Sequence, residues 1–401
     1  MMHSIYLDHN STTPIDPRVL EAMTRVQRDG LANPASQHHL GRRARRLLEE
    51  AREGIAGILG ADVSSLQADR LIFTSGGTEA NNLAILGLAA AACEAGSGGV
   101  RRIIVSAIEH PSVLLAAEVL ERRGYQVERL KVTHEGVFDE QHLTELLAEP
   151  VALASLMLAN HETGVLQPVA ALAARCQAAK VPVHTDAVQA VGKVPVNFRQ
   201  LGVAAMTIAP HKFHGPLGIG GLLLRNGVAL EPALFGGFQQ AGLRPGTESV
   251  ALAVGFHEAL VIWKSTSDVR ERQMTALREL LEQQLKAGLP DAVIAGEGVA
   301  RLPQTINIAF PGFNRQALVM SLDLAGIACS TGSACASGSS EPSPVLTAMG
   351  LEKGLIEGSI RLSLGALTTA ADIAEATSRI LNCVKHLRTS GQLAKTAAAT
   401  T

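Results

Sequence analysis

The sequence predicts an α/β protein, a large domain with a mostly parallel sheet between helices plus a smaller α+β domain. Three observations carry this. Short apolar runs recur from residue 70 to about 225. Helical patterns separate the earlier runs, which is the signature of βαβ units. Polar, glycine-marked turns fall where the runs end.

Seven runs read as strands: RLIFTS, RIIVSA, VERLKV, VALASLMLA, VPVHTD, AAMTIAP and IGGLLLR. Most are apolar throughout rather than alternating, as strands covered on both faces are. TEANNLAILGLAAAA, PSVLLAAEVLERRG and DEQHLTELLAE read as the intervening helices. This places the large domain at 15–260. An amphipathic helix over DVRERQMTALRELLEQQLKAG opens the smaller domain, 261–385. The segment 1–14, with the strand SIYLD, is expected to pack into that smaller domain. Residues 386–401 lack periodicity and are expected to form a disordered tail. No internal repeat is visible.

Composition narrows the partners. A formal net charge of −2 over 401 residues argues against nucleic acid or an anionic membrane. The arginines of GRRARRLLEEAR are offset by their own glutamates and read as a solvated helix face. LAILGLAAAAC falls short of the roughly 18–20 residues that span a bilayer and reads as a buried helix. MMHSIYLDHNSTTP has no basic start followed by an apolar run, so no secretory leader is expected. Cys93, Cys176, Cys329, Cys335 and Cys383 form no CxxC pair. An odd count without a leader predicts reduced thiols and a cytoplasmic location.

Ligands of open parallel sheets bind at the carboxyl ends of the strands. TSGGTEAN (74–81) follows a strand and opens a helix. Gly76 and Gly77 permit a tight turn and Thr78 adds a hydroxyl. With the helix N-terminus they suit an anion, most plausibly a phosphate, although a plain glycine turn reads equally well. No GK[ST] or GxGxxG pattern fits, which argues against a nucleotide loop of those types. His110 stands at the next strand end. Asp186 and Gln189 follow VPVHT, and a carboxylate there needs a partner such as a cationic ring nitrogen. His184 with Asp186 could instead ligate a metal.

Lys212 lies in IAPHKFHGPLGIGG, between His211 and His214. A lysine at a buried strand end is either a snorkelling cation or an amine kept neutral enough to form a Schiff base. Asp for a ring nitrogen, Lys for an aldehyde and a glycine loop for a phosphate together make a pyridoxal phosphate site. Arg244 and Thr247 belong to a further turn, LRPGTES. CSTGSACASGSSEPSP (329–344) is almost all small residues, so it is expected to be mobile, and its Cys335 reads as a functional thiol. Cys329 ends an apolar run and reads as buried. Arg361 interrupts the apolar strand SIRLSLG, where a buried guanidinium needs an anion such as a substrate carboxylate.

YLDHNSTTP, NPASQHHLGRRAR, TSGGTEAN, EHPSV, HTDAVQAVGK, HKFHGPLGIGG, RPGTE and GSACASGSSEPS together resemble the cysteine desulfurases. These are fold-type I pyridoxal phosphate enzymes of the class V aminotransferase group. The resemblance covers residues 5–385, and the long loop ending SEPS is similar to the nitrogen-fixation and housekeeping type. It implies that Lys212 holds pyridoxal 5′-phosphate as a Schiff base and that His110 stacks on its ring. It implies Asp186 at the ring nitrogen, and Gln189 at the phenolic oxygen, which His161 also meets in place of an asparagine. Gly77, Thr78 and His211 are implied to hold the phosphate, with Thr247 reaching the phosphate of the other subunit of a homodimer. Arg361 and Asn160 are implied to bind L-cysteine, and Cys335 to carry the persulfide. Sulfur would pass to acceptor or scaffold proteins for iron–sulfur clusters or other sulfur-containing cofactors. Ala209 stands where the family has serine, and Phe238 where a third glycine is usual. A selenocysteine lyase or another class V aminotransferase would share the cofactor. A metal-dependent hydrolase using His184, Asp186, His211 and His214 is the distant alternative.

Overall fold

A computed structural model describes residues 4–30, 32–94, 99–332 and 341–398. In chain order the strands are β1 (Ile5–Tyr6), β2 (Arg70–Thr74), β3 (Arg102–Ser106), β4 (Gln126–Leu130), β5 (Leu153–Ser155) and β6 (Val183–Asp186). They continue as β7 (Ala205–Ile208), β8 (Gly220–Leu224), β9 (Val293–Ile294), β10 (Thr305–Ala309), β11 (Ile327–Ala328) and β12 (Ser359–Ser363).

The seven runs expected as strands are β2 to β8, in one sheet of order β2-β8-β7-β6-β5-β3-β4. The strands from β4 across to β7 pair in parallel. β8 runs antiparallel to both β7 and β2. The cause is local. Residues 209–219 link β7 to β8 without a crossover helix, and only antiparallel neighbours can be joined so briefly. The strand order reverses between β3 and β5, so the carboxyl ends of β3, β5, β6 and β7 face one crevice.

The smaller unit holds the antiparallel sheet β12-β10-β9 and the parallel pair β1-β11. β1 therefore packs where the sequence places it, and Leu7 joins the apolar cluster of Leu281, Ile306, Leu322 and Ile360. One helix, Val250–Gly288, runs through both units. Phe256 and Leu260 sit in the large core and Leu281 and Leu285 in the small one. The expected boundary at 260/261 falls inside this helix.

The tail is a correction. The segment expected to be disordered from 386 continues the helix Ala370–Ala398. Ile373, Ala376 and Ile380 pack that helix into the small core. Once a helix is nucleated, alanine, lysine, leucine and glutamine extend it cheaply without an apolar stripe. Of the expected mobile segment 329–344, residues 333–340 with Cys335 lie outside the described residues. Among the described residues no helix is long and apolar enough to cross a membrane.

Gly220 of β8 touches the back of the Gly76 turn. A Cβ there would stand 2.5 Å from the Gly76 carbonyl carbon. Gly220→Ala is expected to lower stability by about 1–3 kcal/mol in a denaturant titration. Gly354→Ala, with open space around it, is expected to be neutral or stabilising.

Candidate active site

A cavity of about 250 Å³ opens where β3, β5, β6 and β7 end. Gly77, Thr78, His110, His161, Asp186, Gln189, His211, Lys212 and Arg361 all line it. Two expected residues among those described do not. Asn160 is fully buried beneath, its Oδ1 accepting from Glu162 N and Thr163 N and its Nδ2 donating to Ile108 O. Its side chain shapes the turn that presents His161, and the cavity wall does not include it. Thr247 is exposed on its own turn. Cys335 lies outside the described residues.

β7 delivers the amine. After Ile208 the chain bends through the short turn Pro210–Lys212. The strap 8–16 crosses over it, with Thr13 N and Thr13 Oγ1 both donating to His211 O at 2.9 Å. Lys212 Nζ then donates to Asn10 O at 2.6 Å and Ser11 O at 2.7 Å. His211 faces Thr12 Oγ1 at 3.2 Å, and burial followed by the Lys212 and Lys193 charges lowers its pKa to about 4.

β6 delivers the carboxylate. Asp186 Oδ1 accepts from Val188 N at 2.9 Å and Oδ2 from Asn81 Nδ2 at 2.7 Å. Asn81 Nδ2 also donates to Ser112 Oγ at 2.8 Å. His110 caps the helix Pro111–Arg122, its Nδ1 accepting from Ser112 N. A neutral ring with Nδ1 accepting carries its proton at Nε2. Burial lowers the His110 pKa, opposed by Asp186 and reinforced by Lys212. Burial also holds Glu109 well above the usual carboxylate range, with Asp186 adding to it.

His161 meets His110 edge to face, ring centroids 5.3 Å apart. Burial, then His110, Arg361 and Lys212, hold it well below the usual imidazole range. Its Nδ1 is buried without a hydrogen-bond partner among the described residues. Arg361 is 1% exposed. Its Nη1 donates to His161 O and Gly332 O, and its Nη2 to Asp8 Oδ1 and Ser11 Oγ, both at 2.8 Å. An incoming carboxylate would share this guanidinium with Asp8.

The metal reading has little geometry behind it. His184 is sealed within the sheet, its Nδ1 3.0 Å from Ser155 Oγ and its Nε2 3.0 Å from Thr207 Oγ1. Among the described residues no three His, Cys, Asp or Glu side chains are grouped to hold a metal.

Residues 5–375 match the model of the family described as aminotransferase class-V. The cysteine desulfurase IscS of Dictyoglomus turgidum is 39% identical, over 97% of this chain and 96% of its own. A NifS-like protein from Rickettsia africae superposes with a TM-score of 0.86 at 34% identity, over 96% of this chain and all of that one. A structure described as SspA in complex with cysteine superposes at 0.77 with 30% identity, over 91% of this chain and all of that one.

The chain belongs to the cysteine desulfurase group of the class-V aminotransferases. Enzymes of this group work with pyridoxal 5′-phosphate, and the residues present fit it. The Gly76 turn opens on free space, and a Cβ on Gly77 would stand 3.1 Å from Val188, so only a bare backbone approaches there. The helix Gly77–Glu94 begins at that point, where its first N–H groups have no partner within the helix. The carboxylate of Asp186, the amine of Lys212 and the His110 ring share the same cavity.

Sequence reasoning passed over Asn10, Ser11, Asn81, Ser112 and Met157, which also line the cavity. Asn81 had a signal, since it follows Gly77 by four residues and so lies on the same helix face. Asn10 had none, because its strap reaches the site only through tertiary packing.

His184 gives a pH expectation. Burial lowers its pKa from 6.5 to about 3. The unfolded chain gains this proton as pH falls through 6.5, and the folded chain only near 3. The stability of neutral His184 is therefore complete above 6.5 and lost progressively below it. Between pH 7 and 5, the parent should lose about 2 kcal/mol more than His184→Asn in denaturant titrations.

Proposed function

We propose that this chain is a pyridoxal 5′-phosphate-dependent cysteine desulfurase. It converts L-cysteine to L-alanine and leaves the sulfur as a persulfide on Cys335. The observation that carries this reading is one cavity in which Lys212, Asp186 and the buried Arg361 converge.

Gly77, Thr78 and His211 would hold the phosphate, Asp186 the ring nitrogen, Gln189 and His161 the phenolic oxygen, and Lys212 the aldehyde. When bound, the group supplies a sink for the electron pair left on the substrate Cα. The Lys212 amine would take the Cα proton. Its two carbonyl partners, Asn10 O and Ser11 O, hold the amine when it is not bonded elsewhere. Arg361 orients the substrate carboxylate, and Asp8 yields part of the guanidinium to it. Ser112 fixes the His110 ring, and His110 exchanges protons through Nε2. Cys335 as thiolate attacks the substrate sulfur. A sulfur–sulfur bond forms, the carbon–sulfur bond breaks, and the released carbon takes protons to become alanine. No external oxidant is needed, and the sulfur then passes to an acceptor protein for iron–sulfur clusters or other sulfur-containing cofactors.

The active form is a homodimer in the cytoplasm. Arg244 pairs with Glu79 at 2.7 Å, tying the turn that carries Thr247 to the phosphate loop. Thr247 itself is exposed, as a residue that serves a second subunit would be. Phe235 and Phe238, 87% and 91% exposed on the preceding loop, offer that subunit an apolar face.

Purified protein should be yellow and release alanine and sulfide in equal amounts from L-cysteine with a thiol reductant. Cys335→Ala should keep the colour and drop sulfide release below about 1% of the parent. Lys212→Ala should lose the parent's visible absorbance and the activity together. A colourless parent, or a Cys335→Ala variant as active as the parent, would overturn the reading.

A further inference from the structure

Lys193 ends the turn that follows β6, and it is 5% exposed. Its Nζ lies 3.3 Å from Gln189 Oε1 and 3.4 Å from Gln189 O. These are its partners among the described residues, and neither is a carboxylate. Lys193 lines a small pocket of about 20 Å³, shared with Lys212. The other charged or titratable groups on that pocket are His9 from the strap, His214 from the lysine turn and Arg270 from the helix Val250–Gly288. Arg361 of β12 acts on Lys193 through space, and His211 feels its charge from the main cavity. None of these groups is acidic. Phe213, Met274 and Leu364 complete the wall. Burying an ammonium among cations is costly, and a methionine would fill the space without that cost.

What Lys193 does follows from its contacts. By occupying Gln189 Oε1 it fixes which way the amide faces. Gln189 Nε2 is thereby aimed at Asn10 O, 3.0 Å away. Asn10 O is also the carbonyl that receives Lys212 Nζ. The two lysines thus meet through one amide and one carbonyl, and again across the small pocket.

We infer that Lys193 is a positioning residue for Lys212, which orients its amine through Gln189 and Asn10 and opposes its protonation across the shared pocket. The inference rests on Lys212 being the lysine that bonds the cofactor. Burial, then Lys212 and Arg361, bring the Lys193 pKa down to about 7. Each of the two amine charges disfavours the other across the pocket.

The test is the pH at which the visible absorbance of bound pyridoxal phosphate changes, in the parent, Lys193→Met and Lys193→Arg. Removing the charge should raise the midpoint by about one pH unit, while a permanent charge should leave it at or below that of the parent. A merely structural lysine would move both variants in the same direction or neither. The order Met above parent, with Arg at or below it, supports the inference, and any other order overturns it. Lys193→Gln carries the same expectation as Met should that variant not fold. As a second readout, cofactor-free Lys193→Met should capture pyridoxal phosphate about tenfold more slowly than the parent at pH 7. Lys212→Ala separates the two claims. If it keeps the parent's absorbance, the cofactor reading fails. If the absorbance needs Lys212 but the order is wrong, only the role of Lys193 falls.

Discussion

The site depends on one buried residue, Asn10. Its backbone N donates to Ser363 Oγ and its Nδ2 to Thr305 Oγ1, both in the small antiparallel sheet. Its Oδ1 accepts from Gln304 Nε2. Its carbonyl faces the other way and accepts from Lys212 Nζ and Gln189 Nε2 at the mouth of the large sheet. At 1% exposure, each of these groups would cost free energy if left unpaired. Lys212 is therefore aimed only while the two units are docked. The helix Val250–Gly288 fixes that docking by belonging to both cores.

The same seam sets the electrostatics. Lys212 and Arg361 line the cavity and Lys193 lines the small pocket that Lys212 shares, while Asp186 answers from the cavity wall and Asp8 pairs with Arg361. The histidines add no charge, because burial holds His9 and His211 near pKa 4 and His161 well below the usual range. Such a site favours anionic ligands. A phosphate at the Gly76 turn and a carboxylate at Arg361 would complete the charge balance from two sides. The lowered pKa of Lys193, about 7, records the same crowding of positive charge.

Much of this was legible in the chain. Unbroken apolar runs ending in polar turns gave seven strands and the edge on which ligands meet. Lys212, Asp186 and Arg361 stood out because a charge at the end of a buried strand, or within one, demands a partner. The reversal of β8 was hidden, because it follows from a short link rather than from strand composition. The resemblance implied Asn160 at the substrate, yet its side chain closes a turn beneath the cavity. The helix at the C-terminus was missed because propensity, not periodicity, sustains it. The strap at Asn10 acquires its meaning from residues 151 or more positions away, and the amine of Lys193 from across one pocket.

The central claim is that one particular lysine of two neighbouring ones carries the cofactor. Borohydride reduction of the holoenzyme, followed by proteolysis and mass spectrometry, tests it directly. The expected result is a single phosphopyridoxyl group on the peptide containing Lys212, with Lys193 unmodified. Label on Lys193, or no stoichiometric label on either, would contradict the account.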